Sequence, residues 1–173
     1  MNKLDINSWI ANHFRLEDFE ERLKSTNNSL EFLWIWTIFE REIISKGVAL
    51  KEGNMEERII YSLRETRIEC IGVESHIEFF RKRYFDQNDR PTKYLKSLNF
   101  SSKYFNDLKC TLLKEECSNE IRIRTLVLIA YRFRCNLFHG GKDPLLWHSF
   151  EDVFLMIIHL LMLVIDNQQK PYA

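Results

Sequence analysis

Breakpoints are scarce in this chain. Five glycines and three prolines among 173 residues leave few positions at which a regular element must stop. Alternating apolar and polar runs of useful length are missing too, which argues against a sheet and leaves long patterns of helical period. Charge of one sign is not in excess: 25 basic and 25 acidic side chains give a formal net charge of zero. Nothing global therefore advertises a nucleic-acid or membrane-surface partner, although a local basic cleft stays compatible. The four cysteines, Cys70, Cys110, Cys117 and Cys135, include no CxxC pair, and no leader with a basic start and an apolar middle precedes them. They read as reduced thiols of a cytoplasmic protein. No apolar run reaches the ~20 residues that a bilayer helix needs. The longest, VFLMIIHLLMLVI at residues 153–165, is bounded by Glu151, Asp152 and Asp166 and reads as a buried core helix, so no membrane is expected as a partner.

What is present is helical. The pattern predicts an all-α, single-domain bundle over residues 1–173, long enough to bury one sizeable core. Ile6, Trp9, Ile10, Phe14, Phe19 and Leu23 mark a first helix over about 5–24. Asn28 with Glu31 makes a capping pattern for a second, about 29–46, whose centre LWIWTIFE is apolar on nearly all sides and predicts burial among several neighbours. Asn54 with Glu57 repeats the pattern for a third helix to about 70, and ESHIEFFRKRYF gives a fourth ending near Asp86. QNDRPTKYLKSLNFSS is the least regular region. A further helix spans Lys103 to about Glu116, and Ser118 or Asn119 caps the next, which runs to about 138. Gly140 and Gly141 stop it, and Asp143 with Pro144 starts a last helix to about 167, packed antiparallel to its predecessor through the short GGKD connection.

The corner RCNLFHGGKD, residues 134–143, holds the densest chemistry. On an ideal helix Arg132, Asn136 and His139 share one stripe, and Arg134, rotated away, reaches the same end through a long side chain. An imidazole that titrates near neutral pH, a guanidinium that donates to phosphate, and an amide that orients either of them suit metal-free cleavage of RNA. There a base deprotonates the 2′-hydroxyl, a cation stabilises the charged phosphorane and an acid protonates the leaving oxygen. One histidine does not easily serve both ends of that path.

RCNLFHG, within YRFRCNLFHGGK, resembles the R-x4-6-H motif of the HEPN family, all-helical domains of many prokaryotic toxin, antiphage and RNA-processing systems. LWIWTIFERE is similar to the tryptophan-rich early helix, with an embedded Glu, of some members, and the resemblance spans about residues 28–165. It implies a metal-independent endoribonuclease, a toxin or defence effector acting on RNA, that works as a homodimer with two motifs facing across a cleft and is served by an antitoxin or defence-system partner. It also implies that Arg134 is the motif arginine, His139 the motif histidine and Asn136 the polar residue between them. Arg132 fits the looser spacing, so either arginine qualifies. Many members carry the polar residue directly after the arginine, where this chain has Cys135, and Gly141 stands where nucleotidyltransferase-regulated members have a tyrosine.

Plainer readings accompany these. His139 also suits a helix C-cap, where a cationic side chain meets the last carbonyls. Glu40, on an apolar helix, needs a partner and would pair with a motif arginine, as a support for the site or as a structural salt bridge. Arg122, Arg124 and Lys142 are the sequence-near candidates for RNA contact, while Arg81, Lys82, Arg83, Arg90, Lys93 and Lys96, interleaved with aromatics, also read as a solvated face. His159 reads as a hydrogen-bonded core histidine, and His13 and His76 belong to no constellation. No set with metal-ligand spacing is found and no cofactor is called for. The alternative function is a non-catalytic module of the same kind that binds a nucleotide or dimerises to serve a partner protein.

Overall fold

The computed structural model describes residues 27–45, 54–66, 68, 72–114, 116–138, 147 and 149–168. Helix α1 (Asn27–Phe39) runs into a π-helical turn (Glu40–Ile44), and α2 (Met55–Glu65), α3 (Glu74–Tyr84), α4 (Lys93–Leu98), α5 (Phe105–Leu113), α6 (Asn119–Phe138) and α7 (Glu151–Asp166) follow. The architecture is all-α, with no strand among the described residues, and their buried side chains form one core. The helix expected over 5–24, the double-glycine stop and the Asp143–Pro144 start lie outside the described residues.

Local signals account for several boundaries. Asn54 Oδ1 accepts the Glu57 N–H at 3.0 Å and caps α2, and Ser118 Oγ accepts from Ile121 N at 3.4 Å at the start of α6. Helix α2 ends at Glu65, with Thr66 as its C-cap, rather than near 70. Asn28 does not cap α1, which begins one residue earlier; its amide donates instead to Glu151 Oε1 at 3.2 Å. The stretch read as irregular contains α4. Asp86 organises the turn ahead of it by accepting from the N–H groups of Asn88 and Arg90, and Asp89 and Asn99 adopt positive φ, 56° and 51°, on either side. Such a turn joins elements as tightly as glycine does, and asparagine and aspartate tolerate the left-handed region better than other side chains.

Helix α7 packs most extensively on α1, with Asn28 near Glu151 and Phe32 against Phe154, so the two helices run in the same direction. Its contact with α6 is narrower and centres on Phe133 against Phe150 and Phe154. The centre of α1 is not buried all round: Phe32, Trp36 and Phe39 point inward, whereas Leu30 is 59% and Trp34 73% exposed. High apolar content is a poor guide to burial here because helical spacing assigns the sides and neighbours cover only one of them.

His76 of α3 and His159 of α7 meet at 3.1 Å between Nε2 and Nδ1. The nitrogens are closer than the ring centroids, which lie 5.0 Å apart with 15° between the planes, so the rings meet edge to edge. His76 is fully buried and its Nδ1 has no hydrogen-bond partner among the described residues. A proton there would strand a buried donor, which places it on Nε2, donating to His159. His159 itself lies on the outer side of α7. Burial, then the neighbouring His159, lowers the pKa of His76 from 6.5 to about 4. The unfolded chain therefore binds a proton that the folded chain refuses between those values. The contribution to stability is complete above pH 6.5 and is lost as pH falls towards 4, with a slope of up to ~1.4 kcal/mol per pH unit. Urea unfolding from pH 7.5 to 4 should show this slope, and His76→Phe should flatten it relative to wild type. Equal slopes would rule out His76 as its source.

Candidate functional site

Three side chains near the end of α6 reach three different neighbours. Arg132 pairs with Glu56 of α2 at 3.9 Å. Arg134 turns to α1, where its Nη2 lies 3.9 Å from Glu40 Oε1 and its guanidinium carbon 5.9 Å from the centre of the Trp36 ring. Asn136 turns to α4 and donates from Nδ2 to both Ser97 O and Leu98 O, each at 3.0 Å. The splay follows from the helical repeat, which sets Arg134 nearly opposite Arg132 on the cylinder.

The Arg134 setting is built from α1. The indole N–H of Trp36 donates to Glu40 Oε1 at 2.7 Å, one helical turn along. Glu40 opens the π-helical turn, and its carbonyl accepts both the N–H and the Oγ–H of Ser45, at 2.8 and 2.9 Å. Wider turns of this kind recur at functional sites. Here the turn starts at Glu40, whose carboxylate faces Arg134. Both side chains of that pair are 31% exposed, so the ion pair stabilises the fold by about 1 kcal/mol at most, although the Nε of Arg134 is itself buried. The face of Trp36 adds a cation–π contact.

Tyr131 belongs to the same cluster and was not singled out by sequence reasoning. Its ring stacks on Trp36 with centroids 6.2 Å apart. Burial, then a hydrogen bond with Cys135, pushes its hydroxyl up to about 12, so it carries its proton at neutral pH. The spacing of Tyr131, Arg134 and Cys135, three and four residues apart on a helix, was the available signal.

Asn136 is 7% exposed and spends both amide hydrogens on the last carbonyls of α4. A role in orienting a ligand or an imidazole is left to its Oδ1. Arg124 is held by Asp107 at 2.7 Å and by Glu120 at 3.8 Å, and lines a cleft of about 310 Å³ with Tyr61, Arg64, Lys103 and Tyr104. Arg122 lines a second groove, with Arg81 and Lys114. Both arginines sit near the start of α6, roughly 15 Å along the helix from Arg134, and so do not join its cluster. His139 and Lys142 lie outside the described residues. Among the described residues no three His, Cys, Asp or Glu side chains are grouped to hold a metal ion, and no helix is long and apolar enough to cross a membrane.

Replacing Asn136 by leucine, of similar volume, leaves two carbonyls at a helix end without their donor. The expected cost is about 1–3 kcal/mol in urea unfolding, and a wild-type midpoint would show that this contact carries no stability. Compared with protein-family models, with curated proteins and with solved structures, the chain matches none of them. The resemblance to HEPN domains thus rests on the residues themselves.

Proposed function

We propose that the chain is a metal-independent endoribonuclease of HEPN type, acting as a homodimer in which two copies of the 134–142 corner face each other. The observation that supports the reading is the setting of Arg134: a carboxylate and an indole from the tryptophan-rich helix flank a partly exposed arginine five residues before His139. Among the two arginines that satisfy the motif spacing, this favours Arg134, because Arg132 is turned towards Glu56 on the other side of α6. Arg134 would stabilise the charge that develops on phosphorus, and His139 would act as base or acid on the 2′-hydroxyl or the 5′-oxygen. Glu40 would position Arg134 without touching RNA. A second copy supplies the proton-transfer group that one histidine lacks, across a two-fold interface. A toxin or defence role, with an antitoxin or partner protein, belongs to the same proposal.

One observation favours the alternative of a non-catalytic binding or dimerisation module: both donors of Asn136 are engaged inside the bundle rather than offered to a ligand.

Purified protein incubated with RNA decides between them. Cleavage should survive chelation, leave 2′,3′-cyclic phosphate ends and stop when the sugar at the cut site is 2′-deoxy. His139→Ala should lower the rate ~10²- to 10⁴-fold and Arg134→Ala by a comparable factor. Glu40→Gln, which frees the guanidinium without removing it, should act more weakly than either. Light scattering should report a dimer. Intact RNA under all conditions, or a His139→Ala variant as active as wild type, would leave the binding module as the function.

A further inference from the structure

Cys110 sits in the last turn of α5, and Cys117 lies two residues before α6, in the connection that reverses the chain. The sequence gives no hint of a pair, because the cysteines are seven residues apart. The fold brings them together. Cys110 Sγ lies 3.7 Å from the carbonyl oxygen of Glu116, and Thr111 Oγ1 lies 3.9 Å from Cys117 Sγ, so each thiol touches the chain neighbour of the other. The two thiols are near enough to perturb one another electrostatically. Both are partly exposed, whereas Cys135 is buried.

We propose that Cys110 and Cys117 are a redox-active thiol pair that closes to an intramolecular disulfide by exchange with a low-molecular-weight disulfide such as oxidised glutathione. The order of events follows from the environment. Burial, and next the neighbouring Cys110, push the Cys117 thiol up to about 11, so Cys117 keeps its proton and does not begin the exchange. Cys110 begins it. Its thiolate attacks one sulfur of the glutathione disulfide, that S–S bond breaks, and one glutathione thiolate leaves with the electron pair and takes a proton from water. Once Cys110 is capped, its sulfur is the electrophile beside Cys117. Cys117 then loses its proton to solvent and attacks Cys110 Sγ, and the second glutathione leaves. Two protein thiols are oxidised and one glutathione disulfide is reduced to two thiols.

The approach is chemically suited to this reagent. A groove of about 390 Å³, lined by Thr111, Lys114, Arg122 and Arg81 together with Glu74 and Glu78, adjoins Cys110 through its chain neighbour Thr111. Its cations complement the carboxylates of glutathione, and Arg122 interacts electrostatically with Cys117. The proposal does not depend on ribonuclease activity.

The test equilibrates the full chain in glutathione buffers of increasing oxidised fraction, quenches with acid, alkylates free thiols and maps tryptic peptides. Lys114 lies between the two cysteines, so trypsin separates them and a disulfide reveals itself as a linked pair of peptides. The expected result is a 110–117 link with Cys70 and Cys135 still alkylated. Cys117→Ser should accumulate glutathione on Cys110. Cys110→Ser should leave Cys117 modified at least tenfold more slowly. A wild-type protein that retains glutathione as a stable adduct, links either cysteine to Cys70, Cys135 or another chain, or stays fully alkylated under the most oxidising buffer would overturn the proposal.

Discussion

Phe133 is the contact on which the position of the candidate site depends. Its ring lies edge-on to Phe150 and Phe154 at 5.8 and 5.4 Å, and 6.4 Å from Phe32 at a near-perpendicular angle, so one side chain of α6 is gripped by α1 and by the start of α7. Edge-to-face aromatic pairs contribute about 0.5–1.5 kcal/mol beyond the area they bury, and they also fix rotation about a helix axis, which a slippery aliphatic contact does less well. With Phe133 inward, its neighbours Arg132 and Arg134 are forced to flank the core on opposite sides. The ion pairs with Glu56 and Glu40 are consequences of that rotation. At 3.9 Å and partly exposed, they are too weak to set it.

The parts of this fold that were legible in the sequence are those decided within one turn of chain. The caps at Asn54 and Ser118 need only three residues of context, and the helical period of α6 and α7 needs only their own letters. Glu40 stood out for a related reason: a carboxylate in an apolar helix requires a partner, and the partner proved to be Arg134. What escaped depends on separation. His76 and His159 are 83 residues apart, and Asn136 meets the carbonyls of α4 from 38 and 39 residues away, so no local pattern announces either contact. The short helix α4 was hidden by the turn residues in front of it, which signal a break but not how soon a helix resumes. The exposure of Trp34 was misjudged because hydrophobicity along a helix states what could be buried and not what covers it.

The two histidine readings moved in opposite directions. His159, read as a hydrogen-bonded core residue, is hydrogen-bonded but lies on the outer side of α7, and His76, read as belonging to no constellation, is the buried member of the pair. The chain tolerates a buried imidazole because the neutral ring needs only one strong hydrogen bond, and the lone pair left on Nδ1 costs less than a stranded donor. A lysine or a carboxylate at position 76 would face the same burial with no neutral form available at pH 7 at comparable cost.

The restraint on Arg134 bears on what such an arginine could do in catalysis. A long flexible cation in water loses much side-chain entropy when it meets a phosphate, and that loss subtracts from every interaction it makes with the transition state. Glu40 and Trp36 impose the loss during folding instead, once, and the modest strength of their contacts matters as much as their presence. A fully buried, short ion pair would hold the guanidinium against any incoming anion. A long pair, a third exposed on each side, holds its charge more loosely, and on the reading proposed above it would let the guanidinium turn from Glu40 to a phosphate oxygen.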